Sequence, residues 1–286
     1  MLAVIVSGLA IGAVYAATAL AYNVMFSTSK VLSVTTGHLC MLGGVFGAWF
    51  VSGLGWPIPL GLIGAVVVGA GCGLVTEIVG VRRVLSRSDE HLWLLSTLAL
   101  ATMLQQAVAL WWGTEPRPFP RLFPQDFTAG LADQKYWLPI VLVLVLAAGL
   151  ELFQRRTMMG KLFQATSEDA FAARARGIAT DRVRLFSYML AGAIGGLTGF
   201  AAGQLTFAYF ALGLTLTLNG FIAIAVGGLG SNLGALVGGA ALGLFSAAAT
   251  YFFGGEYQQT IAVGLLMIVL LVVPQGLFGS KKVRPV

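Results

Sequence analysis

A chain of 286 residues that is 58% hydrophobic and 10% charged, with a mean hydropathy of +0.88, cannot cover a folded surface with polar groups in water. Soluble domains carry roughly 25% charged residues, so the composition excludes a water-soluble domain and makes lipid the solvent. The net charge of +6 does not indicate nucleic acid binding, because its distribution fits membrane orientation. The two histidines lack the spacing of metal ligands. Cys40 and Cys72 lie in apolar runs, which favours buried thiols over a disulfide or a metal pair.

Nine stretches of the chain are candidate membrane segments. A helix that crosses a bilayer needs about 20 mostly apolar residues, and the second and seventh stretches are the weakest by that measure. We therefore predict an all-α, polytopic membrane helix bundle of about 8–10 transmembrane segments, some of them broken, in one transmembrane domain over residues 1–286. The predicted spans are residues 2–26, 38–55, 57–80, 92–112, 137–153, 186–205, 214–230, 233–253 and 258–274.

Lysine and arginine mark the predicted cytoplasmic side, because these residues accumulate in cytoplasmic loops. With nine crossings, 14 of the 17 basic residues fall on one side, and the other three share the neutral, proline-rich loop 113–136 with three acidic residues. This distribution predicts an external N-terminus and a cytoplasmic C-terminus. The 14 are Lys30, Arg82, Arg83, Arg87, seven residues between positions 155 and 184, Lys281, Lys282 and Arg284.

Two segments that combine glycine with short polar residues interrupt the predicted spans. Residues 33–38 open the second span, and residues 226–232 separate the seventh from the eighth. Non-helical backbone at membrane depth is tolerated where protein buries it or where it lines a cavity, and transporters often place such breaks around the substrate site. An ordinary turn between helices is the alternative for each segment. The candidate pathway residues are Thr35, Thr36, Gly37, His38, Asn219, Gly227, Gly228, Gly230 and Ser231.

Ionisable residues are scarce in the predicted spans. His38 is either a solute ligand or, as is commoner for a histidine at a helix start, an interfacial residue with satisfied hydrogen bonds. Glu77 lies near the inner end of the third span, shortly before Arg82 and Arg83, and we predict that it is interfacial and paired. A chain without a row of intramembrane charges does not fit an ion-coupled transporter or a charge-selected channel.

The polar loop of residues 154–185 is predicted to hold a short cytoplasmic helix over residues 167–176. Thr166 or Ser167 can cap its start, and Gly177 can stop it. Because isolated helices of about ten residues are marginal in water, this helix must pack on another surface. It either lies on lipid headgroups or couples to a cytoplasmic motor. The candidate coupling residues are Ser167, Glu168, Asp169, Ala173 and Gly177.

The chain carries no nucleotide-binding loop of the G-x-x-x-x-G-K-[ST] type, because Gly160-Lys161 lacks the upstream glycine. If ATP is used, a separate subunit hydrolyses it, so we expect no catalytic residue, metal or cofactor in this chain. A secondary transporter or facilitative channel that works alone is the main alternative, and a membrane scaffold without transport activity is the second.

Four segments resemble, in sequence and in order, the permease subunits of ABC importers of the branched-chain amino acid type. Residues 7–16 (SGLAIGAVYA) resemble the first span of that family, and residues 160–165 (GKLFQA) with Glu168-Asp169, Gly177-Ile178 and Asp181-Arg182-Val183 resemble its cytoplasmic loop. Residues 227–239 resemble its C-terminal glycine motif, and residues 272–279 (VVPQGLFG) resemble its ending. The pattern fits the first of the two permeases that such systems usually carry.

The resemblance implies the partners, the location and the class of solute. It implies a second permease subunit or copy, two cytoplasmic ATPases that hold ATP and magnesium, and an external substrate-binding protein, all at a bacterial inner membrane. Amino acids are the expected solutes, but the family commonly has Asn-Phe-Ala-His-Gly-Glu where residues 33–38 read SVTTGH. With Thr36 and His38 in place of the usual His and Glu, urea, short amides and aromatic acids stay open.

Overall fold

The computed structural model describes residues 2–85, 92–119 and 134–279, and these residues fold as a helix bundle. Twelve α-helices occur in the described chain: α1 (Leu2–Ser29), α2 (Thr36–Ala48), α3 (Ile58–Val75), α4 (Arg83–Leu85), α5 (Leu92–Trp112), α6 (Trp137–Arg156), α7 (Met158–Glu168), α8 (Ala170–Ala175), α9 (Thr180–Leu205), α10 (Leu212–Gly227), α11 (Asn232–Phe253) and α12 (Gln258–Val272). Two π-helical segments, Trp49–Gly53 and Thr76–Arg82, extend α2 and α3. The all-α prediction is confirmed.

Seven helical segments in the described chain are long and apolar enough to cross a membrane. The two predicted spans missing from that set are the second and the seventh, which correspond to α2 and α10. Helix α10, with 16 residues, measures about 24 Å, and α2 with its π-helical extension has 18 residues, or about 27 Å; both are shorter than the roughly 30 Å of a hydrocarbon core. The seven are Ala3–Ser29, Ile58–Arg82, Leu92–Trp112, Trp137–Arg156, Thr180–Leu205, Asn232–Phe253 and Gly255–Val272.

Helix α9 lies at the centre of the bundle, where it packs on α1, α2 and α3, and its contacts with α2 and α3 run through glycine. A side chain at Gly192 would overlap the backbone of Gly69 in α3, and one at Gly43 of α2 would overlap the backbone of Gly196. Small residues allow helix backbones to approach closely where lipid gives no hydrophobic driving force between helices. Gly69, Gly192, Gly43 and Gly196 therefore serve packing between helices of this chain.

One end of the bundle, the basic end, holds Lys30 and Arg184, and the opposite end, the aromatic end, holds Phe46, Trp49 and Trp111. At the basic end, α1 finishes beside the start of α9, where Tyr188 Oη donates to Ser29 Oγ over 3.2 Å. At the aromatic end, the ring of Trp111 stacks on Phe46 at 5.1 Å and meets Trp49 edge-on at 5.1 Å. Tryptophan is enriched where membrane helices meet water. The predicted marker residues Arg87, Arg121, Lys281, Lys282 and Arg284 lie outside the described residues.

Candidate functional site: two chain breaks and the basic-end hairpin

The first interruption is a buried irregular segment, residues 30–35, between α1 and α2. Lys30 has a left-handed backbone conformation (φ 56°) directly after α1. Ser33, Thr35 and Thr36 are fully buried, and each hydroxyl has a hydrogen-bond partner within the segment. Ser33 Oγ lies 2.7 Å from Thr35 Oγ1, and Thr36 Oγ1 donates to the Ser33 carbonyl over 2.9 Å. The chain therefore leaves helical geometry inside protein, where its polar groups have partners.

Gly37 brings the first turn of α2 into contact with α10. A side chain at Gly37 would overlap the backbone of Gly213 and Thr217, so the two helices approach as closely as glycine allows. Thr217 Oγ1 also reaches back to the carbonyl oxygen of Val34, at 3.2 Å. The predicted break and α10 are thus one packed unit.

His38 links three helices. Its Nδ1 lies 3.5 Å from Thr217 Oγ1 of α10, and its Nε2 lies 3.3 Å from Gln105 Oε1 of α5. The side chain is buried. In this conformation His38 has the satisfied hydrogen bonds of an interfacial residue, with Gln105 of α5 and Thr217 of α10 as its partners.

The second interruption is a glycine turn at the basic end. Gly228 (φ 104°) and Gly230 (φ 91°) reverse the chain between α10 and α11. Ser231 then caps α11, because its Oγ accepts a hydrogen bond of 3.0 Å from the Gly234 amide. Positive φ values of this kind are readily adopted by glycine alone. This geometry matches the alternative of a turn between helices.

The C-terminal segment covers the glycine turn. The amides of Leu277 and Phe278 donate to the carbonyls of Val226 and Gly227, both over 2.9 Å. A side chain at Gly228 would overlap the backbone of Gly279. The glycine motif and the ending of the chain, which the resemblance treats as separate segments, therefore form one packed feature.

The structure does not bring the two breaks together. Gly37 and His38 meet the first half of α10, whereas Gly227, Gly228 and Ser231 lie beyond its other end. Asn219, between them, is buried and directed at α12, with its Nδ2 3.5 Å from Gln259 Oε1. The predicted pathway residues thus share α10 as a common support but form no single cluster.

A chain of amide side chains joins α1, α11 and α6 beside the glycine turn. Asn23 Nδ2 donates to Asn232 Oδ1 over 2.6 Å, and Asn232 Nδ2 donates to Gln154 Oε1 over 3.1 Å. These three amides line a cavity of about 510 Å³ that also touches Ser167 and Gly230. Sequence reasoning missed this network, although Asn23 is a polar residue inside an apolar span.

The predicted coupling region is a hairpin of two helices, α7 and α8, and the prediction of one helix over residues 167–176 is wrong. Thr166 and Ser167 lie inside α7, where their hydroxyls donate to carbonyls of the preceding turn. Asp169 ends α7 with extended backbone (φ −150°, ψ 104°) and caps α8, because its Oδ1 accepts from the amides of Phe171 (2.8 Å) and Ala172 (3.0 Å). The acidic side chain, rather than the hydroxyls, satisfies the free amides of the helix start.

Helix α7 holds the hairpin on the bundle while α8 projects from it. Phe163 of α7 is buried and lies edge-on to Phe153 and Phe186, at 6.1 and 6.4 Å. In α8, Ala173 is buried, but Phe171 is 83% exposed. Gly177 stops the segment with φ 85°, as predicted. The predicted coupling residues therefore lie together at the basic end, with Glu168, Asp169 and Gly177 on its surface.

Glu77 is paired, as predicted, but its partner lies in α9. Oε1 of Glu77 accepts from Arg184 Nε at 3.0 Å and from Arg184 Nη2 at 2.9 Å. The Glu77 side chain is 0% exposed and that of Arg184 10%. The sequence alone would have allowed Arg182 or Arg83 as the partner equally well. The pairing depends on which helices are neighbours and on their register, and neither can be read from the sequence.

Comparison with known proteins identifies the family. The family described as "Branched-chain amino acid transport system / permease component" matches residues 4–271. The permease protein LivH of the high-affinity branched-chain amino acid transport system of Escherichia coli (strain K12) is 28% identical over 297 aligned positions, covering 98% of this chain and 96% of LivH. The corresponding protein BraD of Pseudomonas aeruginosa is 26% identical, covering 99% of this chain and 97% of BraD.

Among solved structures, a chain of PsaBC from Streptococcus pneumoniae in complex with Fab has the same fold. The TM-score is 0.55 at 13% identity, and the match covers 96% of this chain and 92% of that chain. The family match confirms the resemblance seen in the four sequence segments, and the helices confirm a multi-pass membrane protein. The chain therefore belongs to the family of branched-chain amino acid permeases of ABC importers, which are permeases and not enzymes.

Proposed function

We propose that this chain works as one permease of a complete ABC importer that moves a small polar solute, most simply a branched-chain or other amino acid, by alternating access. Two separate cytoplasmic ATPase subunits would bind ATP with magnesium and dock on the basic-end hairpin. A second permease would complete the membrane unit, and an external binding protein would deliver solute at the aromatic end. The observation that carries the proposal is the exposed, Asp169-capped tip of the hairpin.

The tip of the hairpin has the composition of a protein contact. Phe171 is a large apolar side chain held in the open on a six-residue helix, which a chain in water would bury unless a partner covers it. The exposed carboxylates of Glu168 and Asp169 flank it. The cytoplasmic leaflet is negatively charged, so these two carboxylates offset the attraction of the exposed Arg174 and Arg176 to lipid. A cleft in an ATPase fits both features.

Exposed polar side chains support a second permease subunit or copy. Gln106 of α5 and Thr215 of α10 are exposed on the described bundle, and so are Thr102 and Gln259, which also bond within the chain to the Ala99 carbonyl and to Asn219. Polar groups in the hydrocarbon region need partners, because lipid supplies none. A second permease laid against α5, α10 and α12 would cover them and place the solute path beside His38 and Gln105.

The solute path would use the two breaks in different ways. Thr35, Thr36, Gly37, His38 and Asn219 would lie along it, and His38 would exchange its bond with Gln105 for a bond with solute. Gly227, Gly228, Gly230 and Ser231 would form the hinge at the inner end. A cytoplasmic basic end would place the N-terminus outside and the C-terminus inside a bacterial inner membrane.

Co-purification and uptake test the proposal. The tagged chain, expressed together with candidate ATPase, second-permease and binding-protein subunits from the same genome, would be purified in detergent and reconstituted. We expect ATPase subunits to co-purify and ATP to drive uptake of radiolabelled leucine, or of one member of a panel containing urea, acetamide and phenylacetate. Uptake that proceeds without ATP would favour a secondary transporter or channel instead.

A further inference from the structure

We propose that Arg184 is a positioning residue that transmits movement of the α7–α8 hairpin to the interior helices, through its contacts with Asp181 and Glu77. The inference rests on the proposed function, because it states how a docking surface on the hairpin would act on the rest of the permease. The contacts that support the proposal lie on three elements: α8, the start of α9 and the π-helical segment Thr76–Arg82.

The contacts form a continuous path from the surface to the interior. Arg174 of α8 donates through Nε to Thr180 Oγ1 at 2.7 Å, and its Nη2 lies 4.0 Å from Asp181 Oδ1. Asp181 Oδ1 lies 3.2 Å from Nη1 of Arg184. The other two nitrogens of the same guanidinium hold Glu77 Oε1.

The inner contact of this path, between Glu77 and Arg184, is strong because it is buried, whereas the outer contacts of Asp181 can change because they are exposed. An ion pair removed from water is costly to break, because separation leaves an uncompensated charge. Glu77 and Arg184 form such a buried pair. The Asp181 side chain, in contrast, is 56% exposed, and solvent screens its interactions. A movement of α8 would therefore change the Asp181 contacts first and carry Arg184 with the Glu77 pair intact.

Glu77 offers Arg184 two positions. Oε2 of Glu77 is buried and has no hydrogen-bond partner within the described part of the chain. The guanidinium can pass from Oε1 to Oε2 without losing its charge partner. Glu77 also lies in a π-helical segment, and such segments are frequent at functional sites. Two discrete arrangements of one pair are what a coupling element needs.

Helix α9 extends the path to the first break. Its glycines contact α3 at Gly69 and α2 at Gly43, without intervening side chains that could absorb a shift. A displacement at the start of α9 therefore reaches α2, whose first turn carries Gly37 and His38. The path therefore runs from the hairpin to the first break, and these two regions also touch directly, because Lys30 Nζ donates to the Ser167 carbonyl over 2.7 Å.

The test uses the reconstituted importer and measures solute imported per ATP hydrolysed. Asp181→Asn removes the outer contact at an exposed position, so the fold should persist. We expect transport per ATP to fall about fivefold, the lower range of coupling between sites, with unchanged assembly and melting temperature. Asp181→Glu should restore the ratio. Glu151→Gln, which breaks an exposed pair with Arg155 on α6, is the matched control.

The inner pair is tested by Glu77→Gln combined with Arg184→Met, since removing both charges leaves none unpaired in the interior. This double variant should assemble and lose coupling like Asp181→Asn. A wild-type ratio in assembled Asp181→Asn importer would overturn the inference and make the path a structural support only. Failure of the proposed function looks different: the unmodified chain would then bind no ATPase or show no ATP-driven uptake.

Discussion

His38 Nε2 lies 3.3 Å from Gln105 Oε1, and this contact ties the first turn of α2 to α5. Helix α5 is largely exposed in the single chain, while α2 is almost wholly buried. The contact is therefore the place where the interior of one permease meets the face that we propose for a second permease and for the solute path.

Replacing His38 with leucine should impair transport more than it impairs the fold. Leucine fills a similar volume but loses the bonds to Gln105 and Thr217, whereas His38→Gln keeps an amide that can make one of them. We expect uptake to fall at least tenfold with leucine and less with glutamine, measured as initial rates in proteoliposomes. Equal rates for wild type and His38→Leu would remove His38 from the solute path.

Phe171→Asp should prevent docking of the ATPase without unfolding the permease. The side chain is 83% exposed, so its replacement costs the isolated chain little, but a carboxylate in an apolar cleft costs several kcal/mol. The measurement is the amount of ATPase retained on the tagged permease. Met158→Asp at the start of α7, also strongly exposed, is the control. Loss of ATPase from both variants would indicate a general charge effect.

Much of this fold could be predicted because the bilayer fixes helix length and composition. The nine apolar stretches, the weakness of the second and seventh, and the Gly177 stop all follow from local patterns. What failed was the assignment of partners. Asp169 and Thr166 are both good helix caps by residue type, but in the structure Asp169 caps α8 whereas Thr166 lies inside α7.

Polar pairs between residues far apart in the chain could not be predicted from the sequence, because they depend on how the helices pack. Asn23 and Asn232 are separated by 209 positions, and Glu77 and Arg184 by 107. Each becomes a pair only after glycine packing sets the register of α1 against α11 and of α3 against α9. The candidate pathway residues remain a prediction, and their separate surroundings depend on that packing.

Asp169→Ala should loosen the hairpin and reduce coupling. Loss of a side-chain cap costs about 1 kcal/mol of helix stability, and α8 has six residues with which to offset it. We expect faster amide hydrogen exchange over residues 170–175, weaker ATPase retention and unchanged exchange in α9. Gln164→Ala, which removes one exposed contact to Glu168, is the control. Unchanged exchange in α8 would show that the cap does not hold this helix.

The thermal stabilities of three glycine-to-alanine variants should depend on the backbone conformation of each glycine and on the space around it. At Gly228 an alanine meets both a left-handed φ and the backbone of Gly279, whereas at Gly230 the φ is left-handed but the space is open. A left-handed conformation costs an alanine about 1–2 kcal/mol. Gly264 of α12 has ordinary helical φ and open space, so alanine there should stabilise by about 0.5–1 kcal/mol.

The melting temperatures of the purified variants in detergent give this order directly. We expect Gly228→Ala to melt lowest, Gly230→Ala to lie between it and wild type, and Gly264→Ala to melt at or above wild type. Because the C-terminal segment packs on Gly228, protease cleavage of that segment should also be fastest in Gly228→Ala. Equal melting of the Gly228 and Gly230 variants would mean that φ alone sets the cost and that the contact with Gly279 contributes nothing.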